Sequence, residues 1–246
     1  MRREARIVFR PHMRGCRRHV GAWAGVVVHW TGGESADHAI HTIWDRGLSI
    51  HYVVDPDGLA IQTAEHTTRC SHVGRPGNDR FLGVEVVCRG FASREDLALA
   101  AALDPTLRTR DELDWDAPRD VYSDTIGGRV VRMASFNPSQ IVTVVELLEE
   151  LAAQERFPRL VPACSAESWL GVVRPLQEPE RYVVEHEGVR YAPSVWRDSR
   201  EDGLASTWRG ALGHYHVHPH KCDPGTAIMY RLWAEGWNPS GQPLRL

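Results

Sequence analysis

Short runs of apolar residues predict the strands of this chain. Residues 25–31, GVVVHWT, are a β-branched run that ends in polar residues, which predicts a buried strand with His29 at its carboxyl end. Residues 50–64 hold two apolar runs on either side of Asp57-Gly58, the turn chemistry of a hairpin. Residues 81–90, FLGVEVVCRG, predict a further strand with Glu85 in the middle of an otherwise apolar run.

Apolar residues at a helical period predict two main helices. Ser35 is placed to cap a helix that runs to Arg46, and Gly47 is placed to end it. Asn137-Pro138 supplies a cap and a first-turn proline to a long helix ending near residue 157. A short helix is expected over 226–235. Strands in the middle of the chain with helices on either side predict one mixed α/β domain, with a central mixed sheet flanked by helices.

Two segments interrupt this pattern. Residues 91–135 are charged and contain Gly127-Gly128, and they predict an irregular surface excursion. Residues 158–209 are rich in proline and contain a possible hairpin that turns at Glu187-Gly188. The predicted organisation is a basic N-terminal arm over 1–24, one domain over 25–236 with insertions at about 91–135 and 158–209, and a C-terminal tail over 237–246.

Composition and charge limit the possible partners. The chain has 246 residues, 42% of them hydrophobic and 25% charged, as in soluble globular proteins. The net charge is −3 and the basic residues are spread along the chain, which argues against a nucleic-acid partner. The sequence has neither the apolar run of a membrane span nor that of a secretory signal, so we expect a cytoplasmic protein without integral membrane association.

The five cysteines form an odd set without a CxxC pair. This pattern argues against a disulfide framework and against a four-cysteine zinc site. We therefore expect most of the cysteines to be reduced, with Cys88 buried as a small apolar side chain.

A histidine-rich stretch near the C-terminus suggests metal chemistry. Residues 213–225 read GHYHVHPHKCDPG. A hydrolytic zinc site takes three protein ligands and leaves a fourth position for water. The strand-end His29, together with His214 and Asp223 from this one stretch, would meet that requirement. Spacing alone leaves the other histidines of the stretch open as ligands.

Four segments together resemble a known family. They are VVVHWTGG, IHYVVDPDGLAIQ, SHVGRPGNDRFLGVEV and GHYHVHPHKCDPG, in that order along the chain. They are similar to motifs of the zinc-dependent N-acetylmuramoyl-L-alanine amidases of the AmpD-like type, which share their fold with peptidoglycan recognition proteins and phage lysozyme-type amidases. The resemblance implies this fold, a zinc cofactor, and hydrolysis of the amide bond between N-acetylmuramic acid and L-alanine in peptidoglycan or muropeptides.

The resemblance also implies roles for individual residues. His29, His214 and Asp223 would be the zinc ligands. Glu85 would be the general base and later the general acid, and Lys221 would stabilise the oxyanion. The residues expected to bind substrate are His72, which would line the groove, and Trp30, Thr31 and Asn78.

The chain departs from the family pattern in several places, including a loop between His214 and Lys221 that is one residue shorter. Ile50 stands where several members carry a catalytic tyrosine, which favours the AmpD-like subgroup. Cys222 lies beside Asp223 and is an alternative third ligand, because phage and animal members often use cysteine there. The other histidines of the stretch are expected to be bystanders: His216, His218 and His220.

Two other functions are open from the sequence. The first is a non-catalytic module that binds peptidoglycan or muropeptide, and the second is a zinc amidohydrolase that acts on a different amide. Delivery to the cell wall by a phage or an export system is an alternative to a cytoplasmic role in muropeptide recycling.

Overall fold

A computed structural model gives the arrangement of most of the chain. It describes residues 6–11, 16–102, 121–126, 129–165, 184–186, 188–193, 204–218, 221, 223–224, 228–229, 231–232 and 235–239. The helices and strands are β1 (Ile7–Phe9), β2 (Arg17–Arg18), β3 (Gly25–Trp30), α1 (Ala36–Asp45), β4 (Tyr52–Val54), β5 (Ala60–Gln62), β6 (Thr68–Arg69), a 3-10 turn (Gly77–Asp79), β7 (Phe81–Val86), α2 (Arg94–Ala101), β8 (Val121–Ile126), β9 (Arg129–Ala134), α3 (Pro138–Glu155), β10 (Leu160–Val161), β11 (Ala163–Ser165), β12 (Val184–His186), β13 (Val189–Pro193), α4 (Leu204–Thr207), β14 (Gly210–Gly213), α5 (His214–Val217) and β15 (Asn238–Pro239).

The centre of the fold is a six-stranded mixed sheet with the strand order β1-β5-β4-β7-β3-β14. Strands β4, β7, β3 and β14 are parallel to one another, and β5 runs antiparallel to β4. Because the four parallel strands run in one direction, their carboxyl ends lie at the same end of the sheet and bring the residues there together. His29 and Glu85 lie near this carboxyl end of the sheet.

Helices cover both faces of the sheet, as the sequence predicts. The long helix α3 packs on β3 and β4, over the main core that includes Val28, Val84 and Leu148. On the opposite face, α1 packs through Ala39 and Ile40 against the site side of the sheet. The predicted mixed α/β fold with a flanked central sheet is confirmed.

The helix ends follow from local capping chemistry. The Ser35 side chain accepts a hydrogen bond from the backbone N–H of His38, which starts α1 at the predicted place. At the start of α3, the backbone N–H of Asn137 donates to Oε1 of Gln140 at 3.0 Å. That helix ends where Arg156 adopts a left-handed conformation with φ 57°.

The N-terminal segment contributes strands where the sequence predicts a solvated arm. Strand β1 pairs in parallel with β5 and forms the edge of the central sheet, and β2 pairs antiparallel with β6. Trp23, just before β3, is buried and donates from its ring nitrogen to the backbone oxygen of His66 at 2.9 Å. The described part of residues 6–24 is therefore built into the domain through main-chain pairing, which a basic composition does not reveal.

The segment 91–135 is more regular than its composition suggests. It contains helix α2 and the antiparallel hairpin β8–β9. Asp96 links the two, because its carboxylate accepts a hydrogen bond from the backbone N–H of Arg132 at 3.0 Å. Val131 and Met133 of β9 are buried in the main core. The prediction of an irregular excursion is therefore wrong for the described part of this segment.

Other predictions fall partly outside the described residues. The hairpin that turns at Glu187-Gly188 is present as β12–β13, and Gly188 has φ 75°. Much of 158–209, the tail after residue 239, and several positions of the helix expected over 226–235 lie outside the described residues. Within the described part of the chain, no helix combines the length and apolar character that crossing a membrane requires.

Candidate metal centre

Two neighbouring parallel strands bring His29 and His214 together. Strand β14 pairs with β3 so that Gly213 lies opposite Val28. The residues that follow these two in the chain are His214, the first residue of α5, and His29. The chain then turns back, and the backbone N–H of Tyr215 donates to the backbone oxygen of Asp223 at 3.1 Å. This contact returns the Asp223 carboxylate to the two imidazoles.

The ligand atoms of His29, His214 and Asp223 form a compact group. Nδ1 of His29 lies 2.9 Å from Nδ1 of His214, which lies 3.0 Å from Oδ2 of Asp223. Nδ1 of His29 is 3.4 Å from the same carboxylate oxygen. All three residues are buried, with exposed fractions of 2%, 8% and 6%. Two nitrogens and one carboxylate oxygen therefore point at a common centre.

The protonation states at this centre suit a cation. Burial, together with the charge of His214, lowers the pKa of His29 to about 4, although Asp223 opposes the shift. Burial on its own would raise the pKa of the Asp223 carboxyl. The charge of His214 and the hydrogen bonds from His214 and His29 outweigh that effect and hold this pKa well below its ordinary value. A neutral imidazole and an ionised carboxylate are the forms that bind a metal.

The donor set fits zinc. Ligand atoms from His29, His214 and Asp223 all lie within 4.8 Å of one another, and among the described residues they are the group that could hold a metal ion. Imidazole nitrogen and carboxylate oxygen are common zinc ligands, and three protein ligands leave a fourth tetrahedral position for water. The predicted ligands are therefore brought together, and this group could hold the ion.

His72 contacts the ring nitrogen of His29 that faces away from the metal centre. Nε2 of His29 lies 3.0 Å from Nδ1 of His72, and Nε2 of His72 lies 3.1 Å from the backbone oxygen of Phe81. Because a carbonyl only accepts, Nε2 of His72 carries the proton, and Nδ1 of His72 accepts from Nε2–H of His29. That arrangement leaves the lone pair of His29 on Nδ1, the atom that faces His214 and Asp223.

Asn78 and Gly83 keep the His72 ring in place. Oδ1 of Asn78 accepts hydrogen bonds from the backbone N–H groups of His72 and Val73, at 2.9 and 2.8 Å. A Cβ atom on Gly83 would lie 2.8 Å from Nδ1 of His72, so the ring packs closely over this glycine. Both predicted substrate-binding residues, His72 and Asn78, thus take part in the support of His29. Their predicted contact with substrate stays a prediction.

Glu85 and Lys221 border the centre. Glu85 on β7 lies directly opposite His29 on β3, so their side chains project from the same face of the sheet. Glu85 is partly exposed, and its Oε2 atom is buried. The charge of Lys221 contributes to the lowered pKa of His29. The backbone N–H of Lys221 donates to the backbone oxygen of His218 at 3.3 Å.

Trp30 and Thr31 have contacts within the domain that account for their side chains. Trp30 follows His29 in the strand and therefore points to the opposite face, where it is buried in the main core with its ring 5.6 Å from that of Phe91. Oγ1 of Thr31 accepts hydrogen bonds from the backbone N–H groups of Gly33 and Cys88, at 3.0 and 3.4 Å. Both side chains have structural contacts, and their predicted role in substrate binding stays a prediction.

The remaining histidines divide between supporting positions and the surface. His216 is fully buried, and its Nδ1 accepts from the backbone N–H of Gly213 at 2.9 Å. The His218 ring lies 5.8 Å from that of His214. His38 and His41 on α1 are exposed. His220 and Cys222, the alternative ligand, lie outside the described residues.

The sequence reasoning missed His51. This residue is fully buried, its Nδ1 accepts from the backbone N–H of Gly83 at 3.0 Å, and its Nε2 lies 2.9 Å from the backbone oxygen of Thr68. Its ring lies edge-on to that of His72, with the ring centres 6.1 Å apart. The available signal was its position in an apolar strand beside Ile50, where a histidine needs partners for both nitrogens.

The chain belongs to the N-acetylmuramoyl-L-alanine amidase family, whose model matches residues 20–226. That match covers most of the chain, including the three candidate ligands. Comparison with curated proteins gives no match.

Several solved structures are similar to this chain. Staphylococcus aureus hydrolase AmiA is 15% identical, with 94% of this chain and 82% of that chain covered and a TM-score of 0.45. Drosophila peptidoglycan recognition protein SD is 14% identical, with coverage of 98% and 100% and a TM-score of 0.46. A selenomethionine derivative of AmpD is 14% identical, with coverage of 94% and 94% and a TM-score of 0.40.

Proposed function

We propose that this protein is a zinc-dependent amidase that hydrolyses the bond between N-acetylmuramic acid and L-alanine in peptidoglycan or muropeptides. The observation that carries the proposal is the convergence of three buried residues, His29, His214 and Asp223, within a chain of the amidase family. The three residues would hold the ion and leave one position open. A zinc ion in such a site lowers the pKa of bound water and polarises a carbonyl oxygen.

Glu85 is the proposed general base. It lies opposite His29 in the sheet register and on the same face, which places its carboxylate on the side of the sheet that carries the candidate ligands. Its carboxylate takes the proton from the attacking water and later gives it to the leaving nitrogen of L-alanine. One group can serve both steps because the proton it gains in the first is the proton needed in the second.

Lys221 is the proposed electrostatic partner of the reacting carbonyl. Attack on an amide places negative charge on the carbonyl oxygen, and a cation fixed beside that oxygen favours the transition state. Lys221 precedes Asp223 by two residues, and its charge contributes to the lowered pKa of His29. The same loop therefore supplies a ligand and a cation.

Release of free stem peptide from a purified muropeptide tests the proposal. We expect Glu85→Gln to bind zinc as the wild type does and to lose activity about 10²–10⁴-fold, as for removal of a general base. His29→Ala should lose both zinc and activity. Two surface variants serve as controls, Glu95→Gln on α2 and His38→Ala on α1, because both residues are exposed and lie outside the site.

The same assay separates the other functions. A non-catalytic binding module would hold the muropeptide without releasing peptide, with or without Glu85. An amidohydrolase for a different amide would be fully loaded with zinc and still leave every muropeptide intact. Either result contradicts the proposal.

A further inference from the structure

Two cysteines far apart in sequence face each other across a strand pair. Strands β2 and β6 are antiparallel, with Arg17 opposite Arg69 and Arg18 opposite Thr68. One step further along the same register places Cys16 opposite Cys70. The pair belongs to neither the metal centre nor its supporting histidines.

The hydrogen-bond pattern identifies the kind of cross-strand pair. The backbone N–H of His19 donates to the backbone oxygen of Thr67 at 2.8 Å, so these residues lie at a hydrogen-bonded position. Hydrogen-bonded and non-hydrogen-bonded pairs alternate along an antiparallel ladder, which makes Cys16 and Cys70 a non-hydrogen-bonded pair. Such pairs have Cα atoms about 4.5 Å apart. This separation falls in the range of about 4.4–6.8 Å that a disulfide spans.

The two thiols are in contact. A side-chain hydrogen bond joins Cys16 and Cys70, and Ser49 contributes a further one to each. Cys70 is buried, whereas Cys16 is partly exposed and can be reached from solvent. Cys88 lies elsewhere, with its sulfur close to Ala134 and Gly90.

We propose that Cys16 and Cys70 form a disulfide bond by exchange with a low-molecular-weight disulfide such as oxidised glutathione. This modification site goes beyond the amidase function and does not depend on it. The bridge would join the N-terminal strand β2 to the segment that leads through Ser71 to His72.

The exchange has two steps. The Cys16 thiolate attacks one sulfur of the external disulfide and forms a mixed disulfide on Cys16. The other half of the external disulfide leaves as the first thiolate. Cys70 then gives up its proton and attacks the Cys16 sulfur, and the second external thiolate leaves. Two cysteine thiols are oxidised, and one external disulfide is reduced to two thiols.

The roles of the two cysteines follow from their surroundings. The hydrogen bond from Cys70 lowers the pKa of Cys16 to about 6, although partial burial opposes the shift, and Ser49 and Arg69 add to it. The same hydrogen bond and burial raise the pKa of Cys70. Cys16 is therefore the nucleophile, and Cys70 is the thiol that resolves the mixed disulfide.

The bridge would fix a segment close to the metal centre. The backbone N–H of Ser71 donates to Oγ of Ser49 at 2.7 Å, and the backbone N–H of Ser49 donates to the backbone oxygen of Ser71 at 3.2 Å. His72 follows directly and contacts His29. A covalent link at Cys70 thus restrains the chain two residues before the histidine that supports a candidate metal ligand.

Peptide mapping of the oxidised full-length protein tests the site. The protein is equilibrated with oxidised and reduced glutathione, blocked with iodoacetamide and digested with trypsin without reduction. We expect a disulfide-linked pair of the peptides 15–17 and 70–80, which disappears on treatment with a phosphine reductant. Cys70→Ser should stop at the mixed disulfide of Cys16 with glutathione.

Thermal unfolding gives a second measure. Oxidation should raise the melting temperature of the wild type by about 8–16 °C, the range expected for closing a loop of this length in a chain of this size. Cys16→Ser should show no shift, and the control Cys88→Ala should keep it. A wild-type protein in which Cys16 ends as the glutathione adduct, bonds to a different cysteine, or stays a thiol would overturn the proposal.

Discussion

Nε2 of His29 lies 3.0 Å from Nδ1 of His72, and this contact sets which nitrogen of His29 faces the candidate metal centre. The chain of contacts continues to the backbone oxygen of Phe81, which fixes the tautomer of His72. Partners of this kind orient a metal ligand and raise its basicity. His72 is therefore a positioning residue for His29.

Replacing His72 should weaken zinc binding without removing it. We expect His72→Ala to lower zinc affinity about 10–100-fold, the usual effect of losing a partner behind a metal ligand. The measurement is competition with a chelator of known affinity. His72→Gln, which keeps an acceptor near His29, should recover part of the loss, while His38→Ala on the surface should change nothing. Equal affinity of His72→Ala and wild type would show that the contact does not position the ligand.

A side chain at Gly83 should disturb the same support. A Cβ atom there would collide with Cδ1 of Ile50 and lie 2.8 Å from Nδ1 of His72, so both neighbours must move. We expect Gly83→Ala to lower the free energy of unfolding by about 1–3 kcal/mol, as for overpacking of a filled site. Urea unfolding measures this change. Zinc affinity should fall as well, because the imidazole of His72 would be displaced. A stable variant with normal zinc affinity would contradict this packing.

His51 should make the metal-free protein sensitive to acid. Burial and the charges of His66 and His19 lower its pKa from 6.5 to about 3, against the hydrogen bond to Thr68. Because the folded pKa lies below the unfolded one, the unfolded chain takes up the proton first. The stability from His51 is complete above about pH 6.5 and is lost as the pH falls toward 3. The expected slope from this residue is about 1.4 kcal/mol per pH unit.

A His51→Leu variant isolates that contribution. It should be less stable than the wild type at pH 7 by about 1–3 kcal/mol, because the N–H of Gly83 loses its buried partner. Between pH 6.5 and 4.5 the free energy of unfolding of the variant should fall less steeply than that of the wild type, by about 1.4 kcal/mol per pH unit. Denaturant unfolding over this pH range, with chelator present in both samples, compares the two slopes. Parallel slopes would mean that His51 titrates alike in the folded and unfolded chains.

The sequence, together with its resemblance to a known family, predicted the flanked central sheet and the group of candidate ligands. The apolar run that ends in His29 predicts its place at a strand end, and the stretch that holds His214 and Asp223 is short enough to return to it. Alternation along the strand could also have placed Trp30 on the face opposite His29. The prediction that Trp30 binds substrate did not take this alternation into account.

Other features depend on pairing between distant segments. The contact of His72 with His29 and the pairing of Cys16 with Cys70 arise from strand register, and no local pattern encodes either. The arginine-rich composition of the N-terminal segment did not indicate its strands. They form through main-chain hydrogen bonds to β5 and β6, which do not depend on the arginine side chains. The hairpin in 91–135 was hidden in the same way by a charged composition.

Zinc-dependent amidase activity is tested most directly by a zinc titration of the metal-free protein, with release of free stem peptide as the readout. The predicted rate rises in proportion to added zinc and stops rising at one ion per chain, and His214→Ala shows no rise at any concentration. A rate that does not change with added zinc, or a protein that takes up one ion and releases no peptide, would contradict the proposed zinc-dependent amidase function.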